Sequence, residues 1–105
     1  MRENDAPFTL HVEGREGEVR IVATGELDPS TAPSVAAVLE QHRGDDVVLD
    51  FTAVSFADSS IIRTLVEEST HAALDGARFT VLGATERVRR SFEVSGVANR
   101  FEWAD

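Results

Sequence analysis

Two adjacent serines stand where a hydroxyl could react: Ser59 and Ser60, directly after Asp58. Asp and Ser are favoured at helix N-termini, where free backbone N–H groups and the helix dipole favour negative charge. A phosphate on one of these serines would be well placed. The same residues also make an ordinary helix cap, so their meaning depends on the rest of the chain. A hydrolase built on either serine needs a histidine within hydrogen-bond reach. His71 lies on the same expected helix as Ser60, roughly 16 Å further along at 1.5 Å per residue. His11 and His42 fall in unrelated segments, and there is no Gly-x-Ser-x-Gly elbow. Hydrolysis is not expected, and the chain reads as a protein that is not an enzyme.

Metal and nucleotide chemistry are equally poorly provided for. Three scattered histidines and no cysteine give no zinc-ligand spacing. Asp28, Asp50 and Asp58 could converge at strand ends and hold Mg²⁺. Capping and turn formation are the commoner use of such residues, so neither a metal nor a cofactor is expected. No Walker A loop and no Gly-x-Gly-x-x-Gly occurs. Asp28, Asp58, Ser59 and Ser60 would still share the carboxyl-end rim of a sheet, where α/β proteins bind small ligands. Arg87, Arg89 and Arg90 form a basic cluster. It reads as a solvated helix face paired with Glu86 and Glu93, or as a contact for an acidic partner.

The elements that must position these residues follow from hydrophobic periodicity. Phe8, Leu10 and Val12 alternate with polar neighbours and predict a strand. Gly14-Arg15-Glu16-Gly17 is a turn, and Val19 to Ala23 form a second strand, giving an antiparallel hairpin. A helix then starts at Asp28-Pro29, or at Ser30 or Thr31 with Pro33. Its apolar stripe is Ala32, Val35, Ala36 and Leu39; Gly44 stops it, and Arg43 suits its negative end.

Val47 to Phe51 is a near-continuous apolar run, predicting a strand buried on both faces. A short polar turn leads into Asp58-Ser59-Ser60. A helix from Ser60 buries Ile62, Leu65, Val66, Ala72 and Ala73 and ends at Asp75-Gly76. Phe79 to Leu82 is a fourth strand. Thr85 caps a third helix carrying Val88 and Phe92, which Gly96 ends. Phe101 and Trp103 alternate with polar residues in a short last strand. The order β-β-α-β-α-β-α-β predicts an α/β fold: a mixed, mostly parallel sheet with an N-terminal antiparallel hairpin and crossover helices. The expected core includes Ile21, Val35, Val48, Phe51, Ile62, Leu65 and Val81.

The 105 residues fit one domain, 1–105, with residues 1–6 as a flexible tail. The composition, 42% hydrophobic and 28% charged, is that of an ordinary globular protein. No apolar run is long enough to span a bilayer, and the polar N-terminus leads into no signal-peptide core, so the cytoplasm is the expected location. A formal net charge of −9 argues against a direct nucleic-acid partner and suits a partner with a basic patch.

Two separated motifs, read together, carry a resemblance. Gly25-Glu26-Leu27-Asp28, a helix, then Leu49-Asp50-Phe51-Thr52-Ala53-Val54-Ser55-Phe56-Ala57-Asp58-Ser59-Ser60 resembles the sulfate-transporter and anti-sigma factor antagonist (STAS) domain. The likeness runs from about Phe8 to Trp103. It implies a bacterial partner switch that regulates sigma-factor-dependent transcription. In such a switch the antagonist binds an anti-sigma factor, a serine kinase with a histidine-kinase-like ATPase fold. That kinase phosphorylates the antagonist, and a serine phosphatase resets it. The family phosphoacceptor falls on Ser60, with Ser59 the competing hydroxyl. Asp28 and Asp58 match acidic positions on the same partner-binding surface. The family usually has Gly after the second serine; here Ile61 stands there and adds bulk beside the acceptor. The alternatives are a STAS subunit of a lipid-transport or sensory scaffold complex, in which Ser60 is not phosphorylated, and a small-ligand or nucleotide-binding module.

Overall fold

A computed structural model describes residues 7–15 and 17–105; the tail expected over residues 1–6 lies outside the described residues. The alternating residues of β1 (Thr9–Arg15) and β2 (Glu18–Leu27) pair antiparallel, with Leu10 opposite Ala23 and Val12 opposite Ile21. Parallel to β2 follow β3 (Asp46–Ala57), β4 (Phe79–Leu82) and β5 (Glu102–Ala104), in sheet order β1-β2-β3-β4-β5. The crossovers carry α1 (Ala32–Gln41), α2 (Ser59–Leu74) and α3 (Glu86–Val94). The expected mixed, mostly parallel α/β sheet with its hairpin is present.

The strand order corrects one expectation. When successive parallel strands are also neighbours, right-handed crossovers place every helix on the same side. The burial pattern agrees: Val19, Ile21, Val47, Leu49, Phe79 and Val81 are buried, while Arg20, Val22, Val48, Thr80 and Leu82 between them are not. The sheet is therefore covered on one face, and β3 is not buried on both. Of the expected core, Ile21, Val35, Phe51, Ile62, Leu65 and Val81 are buried, and Val48 on the open face is only half-buried.

The third strand also runs further than its apolar run suggests. Its buried apolar positions are 47, 49 and 51, then 54 and 57. The change of spacing marks two register shifts against β2, each adding one residue to β3. The segment read as a polar turn is thus bulged strand, and Ala57 leads straight to Asp58 and α2. Gly25, beside the second shift, has φ 89°, a value that an L side chain strains to adopt.

On α2 the buried face is Ile61, Ile62, Leu65, Glu68, Ser69 and Ala72; Val66 is half-buried and Ala73 is exposed. Leu65 is fully buried, so Leu65→Ala should cost roughly 2–5 kcal/mol in equilibrium urea unfolding. A change below about 0.5 kcal/mol would contradict this packing, because even Ile→Val in a core costs that much. Glu68 is buried because Arg43 reaches across from beyond α1, with Nε–Oε1 3.0 Å and Nη2–Oε2 2.7 Å. Arg43 therefore ties α1 to α2 and is not simply a charge at the end of α1. At the far end of the sheet the ring of Phe92 meets those of Phe101 and Trp103 edge-on, at 5.3 Å each. Trp103 Nε1 donates to the Ala98 carbonyl at 2.7 Å.

On the open face Asp50 is buried beneath Arg20, which donates to it at 2.7 Å. Burial pushes the Asp50 carboxyl up, but the Thr52 hydroxyl and N–H, and then Arg20, hold it below its ordinary value of 3.8. A depressed carboxyl stabilises the fold above its unfolded pKa and loses that contribution as the pH falls through the folded one. Asp50→Asn should lower stability at pH 7 and flatten the loss on acidification below about pH 4. Urea midpoints for both proteins at pH 7 and pH 3 check this; an equal acid loss in the variant would remove Asp50 as a source of it.

Candidate functional site

The serines sit at the carboxyl ends of the central strands. Leu27 and Ala57 are register partners, and Asp58 N–H donates to the Leu27 carbonyl at 3.0 Å. The next residues, Asp28 and Asp58, therefore leave neighbouring strands side by side. Asp58, with extended backbone (φ −93°, ψ −178°), is the cap of α2. Its Oδ1 accepts from Ser60 N at 2.9 Å, Ile61 N at 3.2 Å and Ser60 Oγ at 2.5 Å. Asp58, not a serine, satisfies the first turn, so both serines lie inside the helix, which starts at Ser59. Ser59 is exposed and Ser60 half-buried. The Ser60 hydroxyl directs its proton at Asp58 and keeps its lone pairs for an incoming electrophile.

Asp28 repeats the pattern one strand away. Its Oδ1 accepts from Ser30 N at 2.9 Å, Ser30 Oγ at 2.6 Å and Thr31 N at 3.2 Å. The Ser30 hydroxyl is the chief cause that holds the Asp28 carboxyl below its ordinary value, against a desolvation that raises it. Asp28 N–H in turn donates to Thr31 Oγ1 at 2.9 Å. The helix proper begins at Ala32 after Thr31, with Pro33 in its first turn, so the later of the two expected starts is the one used. Asp28, Asp58, Ser59 and Ser60 are thus gathered on one rim, with two carboxylates committed to backbone N–H groups.

Ile61 is different. Its side chain is fully buried among the core residues, so it presents no bulk at the surface. Asp50 is also elsewhere: it lies mid-strand on the open face with Arg20 and Thr52, away from the rim. Among the described residues no group of three or more His, Cys, Asp or Glu could hold a metal ion. The histidines are dispersed. His42 lies 3.5 Å from Asp45, His11 lies 3.4 Å from Glu13, and His71 is in the last turn of α2.

One feature of the rim escaped the sequence reading. Phe56, at the end of β3, is 36% exposed, and the Arg87 guanidinium lies over its ring at 5.9 Å. The bulges hide which way Phe56 faces, so no period in the sequence reveals it. The expected pairing of Arg87, Arg89 and Arg90 with Glu86 and Glu93 is not formed among the described residues. Arg89 instead lies over the Trp103 ring at 5.0 Å.

Comparison with known proteins places these features in a wider set. A family model described as "Mlab, STAS domain" matches residues 10–101. The anti-sigma-B factor antagonist of Listeria monocytogenes is 28% identical over 99 residues, spanning 90% of this chain and 87% of that protein. An anti-sigma factor antagonist from Mycobacterium paratuberculosis superposes with a TM-score of 0.82 at 24% identity, covering 95% of this chain and 89% of that one. The Bacillus cell fate determinant SpoIIAA, 22% identical, superposes at 0.76 in its unphosphorylated form and 0.71 in its phosphorylated form. Those matches cover 94% of this chain and 89% and 92% of the respective SpoIIAA chains. At these identities the superpositions speak to the fold. Among the described residues no helix is long and apolar enough to cross a membrane.

Proposed function

The chain belongs to the STAS domain family, and on that premise we propose that it is a cytoplasmic anti-sigma factor antagonist, a binding protein and not an enzyme. Its partner is an anti-sigma factor serine kinase of histidine-kinase-like ATPase fold, and its switch is phosphorylation of Ser60, undone by a serine phosphatase. The observation that carries this reading is the Ser60 hydroxyl, held by Asp58 in the first turn of α2 at the carboxyl-end rim of the sheet. The similarity to a named anti-sigma-B factor antagonist supports the partner class.

The physics of the switch follows from the cap. Esterification removes the proton that Ser60 Oγ donates to Asp58 and adds about −1.5 to −2 charge at pH 7 beside that carboxylate. The helix N-terminus tolerates the charge, so the fold need not open. A partner surface shaped for a neutral hydroxyl does not tolerate it. A penalty of roughly 1–3 kcal/mol changes affinity about 5–150-fold.

The test is incubation with the cognate kinase and ATP, followed by intact-mass analysis and site mapping. Wild type should gain one phosphoryl group at Ser60, and Ser60→Ala should gain none. An adduct that persists in Ser60→Ala would move the site to Ser59 or beyond.

A second reading has its own support: the matching family model is described by the name Mlab. On that reading the domain is an unphosphorylated subunit of a lipid-transport or sensory scaffold. Absence of any adduct, with partner binding unaffected by Ser60→Asp, would favour it.

A further inference from the structure

We propose that the groove between the end of β3, the first turn of α2 and α3 docks an acidic segment of the partner that carries an apolar side chain. The partner's identity rests on the antagonist reading above; the surface rests on the side chains that line it.

The groove encloses about 490 Å³. Its walls include Phe56, Ser59, Ile62, Arg87, Arg90 and Val94. Two of these are apolar and open to solvent: Phe56 is 36% exposed and Val94 is 79% exposed. Phe56 at the end of β3 and Val94 on α3 both line the groove, and exposed apolar side chains from two elements give an apolar anchor surface to pack against. Arg87 and Arg90 line the same groove, and neither makes an ion pair among the described residues. Arg87 is held in place over the Phe56 ring. Asp58 also lines the groove, and its Oδ1 accepts from three donors of the cap.

In a chain of net charge −9, two guanidiniums without an ion pair among the described residues, beside exposed apolar groups, set the sign of what fits. A basic segment is repelled there, and an acidic one gains charge-assisted hydrogen bonds. The rim then carries both signs: Asp28 and Asp58 at the strand ends, and the arginines on α3. Such a two-signed footprint fixes the orientation of a partner as well as attracting it.

The experiment uses the full chain, labelled with ¹⁵N, and a defined probe: an acetylated, amidated peptide of sequence Glu-Leu-Glu-Glu-Leu-Glu. We expect saturable amide shifts confined to residues 56–62 and 87–95. They should be weakened at least about tenfold by Arg87→Glu with Arg90→Glu, because like charges then face each other. Val94→Ser should weaken them without changing the charge. The same peptide with Lys in place of Glu should give no shifts in the groove. Equal binding by the double variant with an unchanged thermal midpoint, binding by the Lys peptide, or no saturable shift would overturn the proposal. So would inorganic phosphate or ATP producing the same shifts and displacing the peptide, which would make this a small-anion site. Failure here with Ser60 still phosphorylated by its kinase removes the groove alone. Saturable groove binding in a chain that no kinase phosphorylates removes the antagonist reading alone.

Discussion

Ile61→Gly should destabilise the fold by about 3–6 kcal/mol, combining the loss of a buried Ile side chain with the cost of Gly near a helix start. The side chain is fully buried, and the backbone N–H of Ile61 is one of the groups that Asp58 caps. Natural domains have about 5–15 kcal/mol of stability, so this change alone could leave a large unfolded fraction. The sequence suggests the opposite use of the position: bulk beside the phosphoacceptor whose removal would speed a kinase. The structure turns that bulk inward, so Gly opens a cavity and clears nothing from the surface. Urea unfolding at pH 7 checks this, with Ile61→Val as a mild control expected to cost about 0.5–1.5 kcal/mol. A loss under about 1 kcal/mol for Ile61→Gly, well below the range for emptying a core site, together with faster phosphorylation would return Ile61 to the partner surface.

Arg43→Ala should lower stability by more than the roughly 0.5 kcal/mol worth of an exposed pair. Arg43 is itself open to solvent, but its removal strands the buried Glu68 carboxylate. Glu68 is 6% exposed and is held by two hydrogen bonds from Arg43 alone among the described side chains. Changing both residues to Leu should recover part of the loss, since the buried position 68 then holds an apolar group and no stranded charge. A double-mutant cycle by denaturant unfolding measures the coupling. Arg43→Ala costing less than about 0.5 kcal/mol, the worth of an exposed pair, would show that Glu68 is solvated and that α1 and α2 are not joined here.

Much of the fold is legible because helices and the outer strands keep their periods. Val35 and Leu39, Val88 and Phe92, and the strand from Phe79 to Leu82 stand where periodicity puts them. Three things were hidden. The bulges of β3 break the two-residue period after Phe51, so bulged strand reads as a turn. The open face of the sheet is concealed because Val48 and Leu82 look like core, although among the described residues no helix covers them. On α2 the buried face includes Glu68 and Ser69, polar residues that a count of apolar positions omits. The rim fared better, since strand-end Asp and Ser residues announce caps by type alone. Which residue does the capping needed geometry: Asp58 takes the N–H groups, which leaves the Ser60 hydroxyl as its donor.

The most direct test of the antagonist reading compares the two forms of the same protein. Ser60-phosphorylated and unphosphorylated chains, separated by ion exchange, are titrated in turn against the anti-sigma kinase in a calorimeter. The account predicts that the phosphorylated form binds about 5–150-fold more weakly, with its thermal midpoint little changed. Equal affinity of the two forms would contradict it.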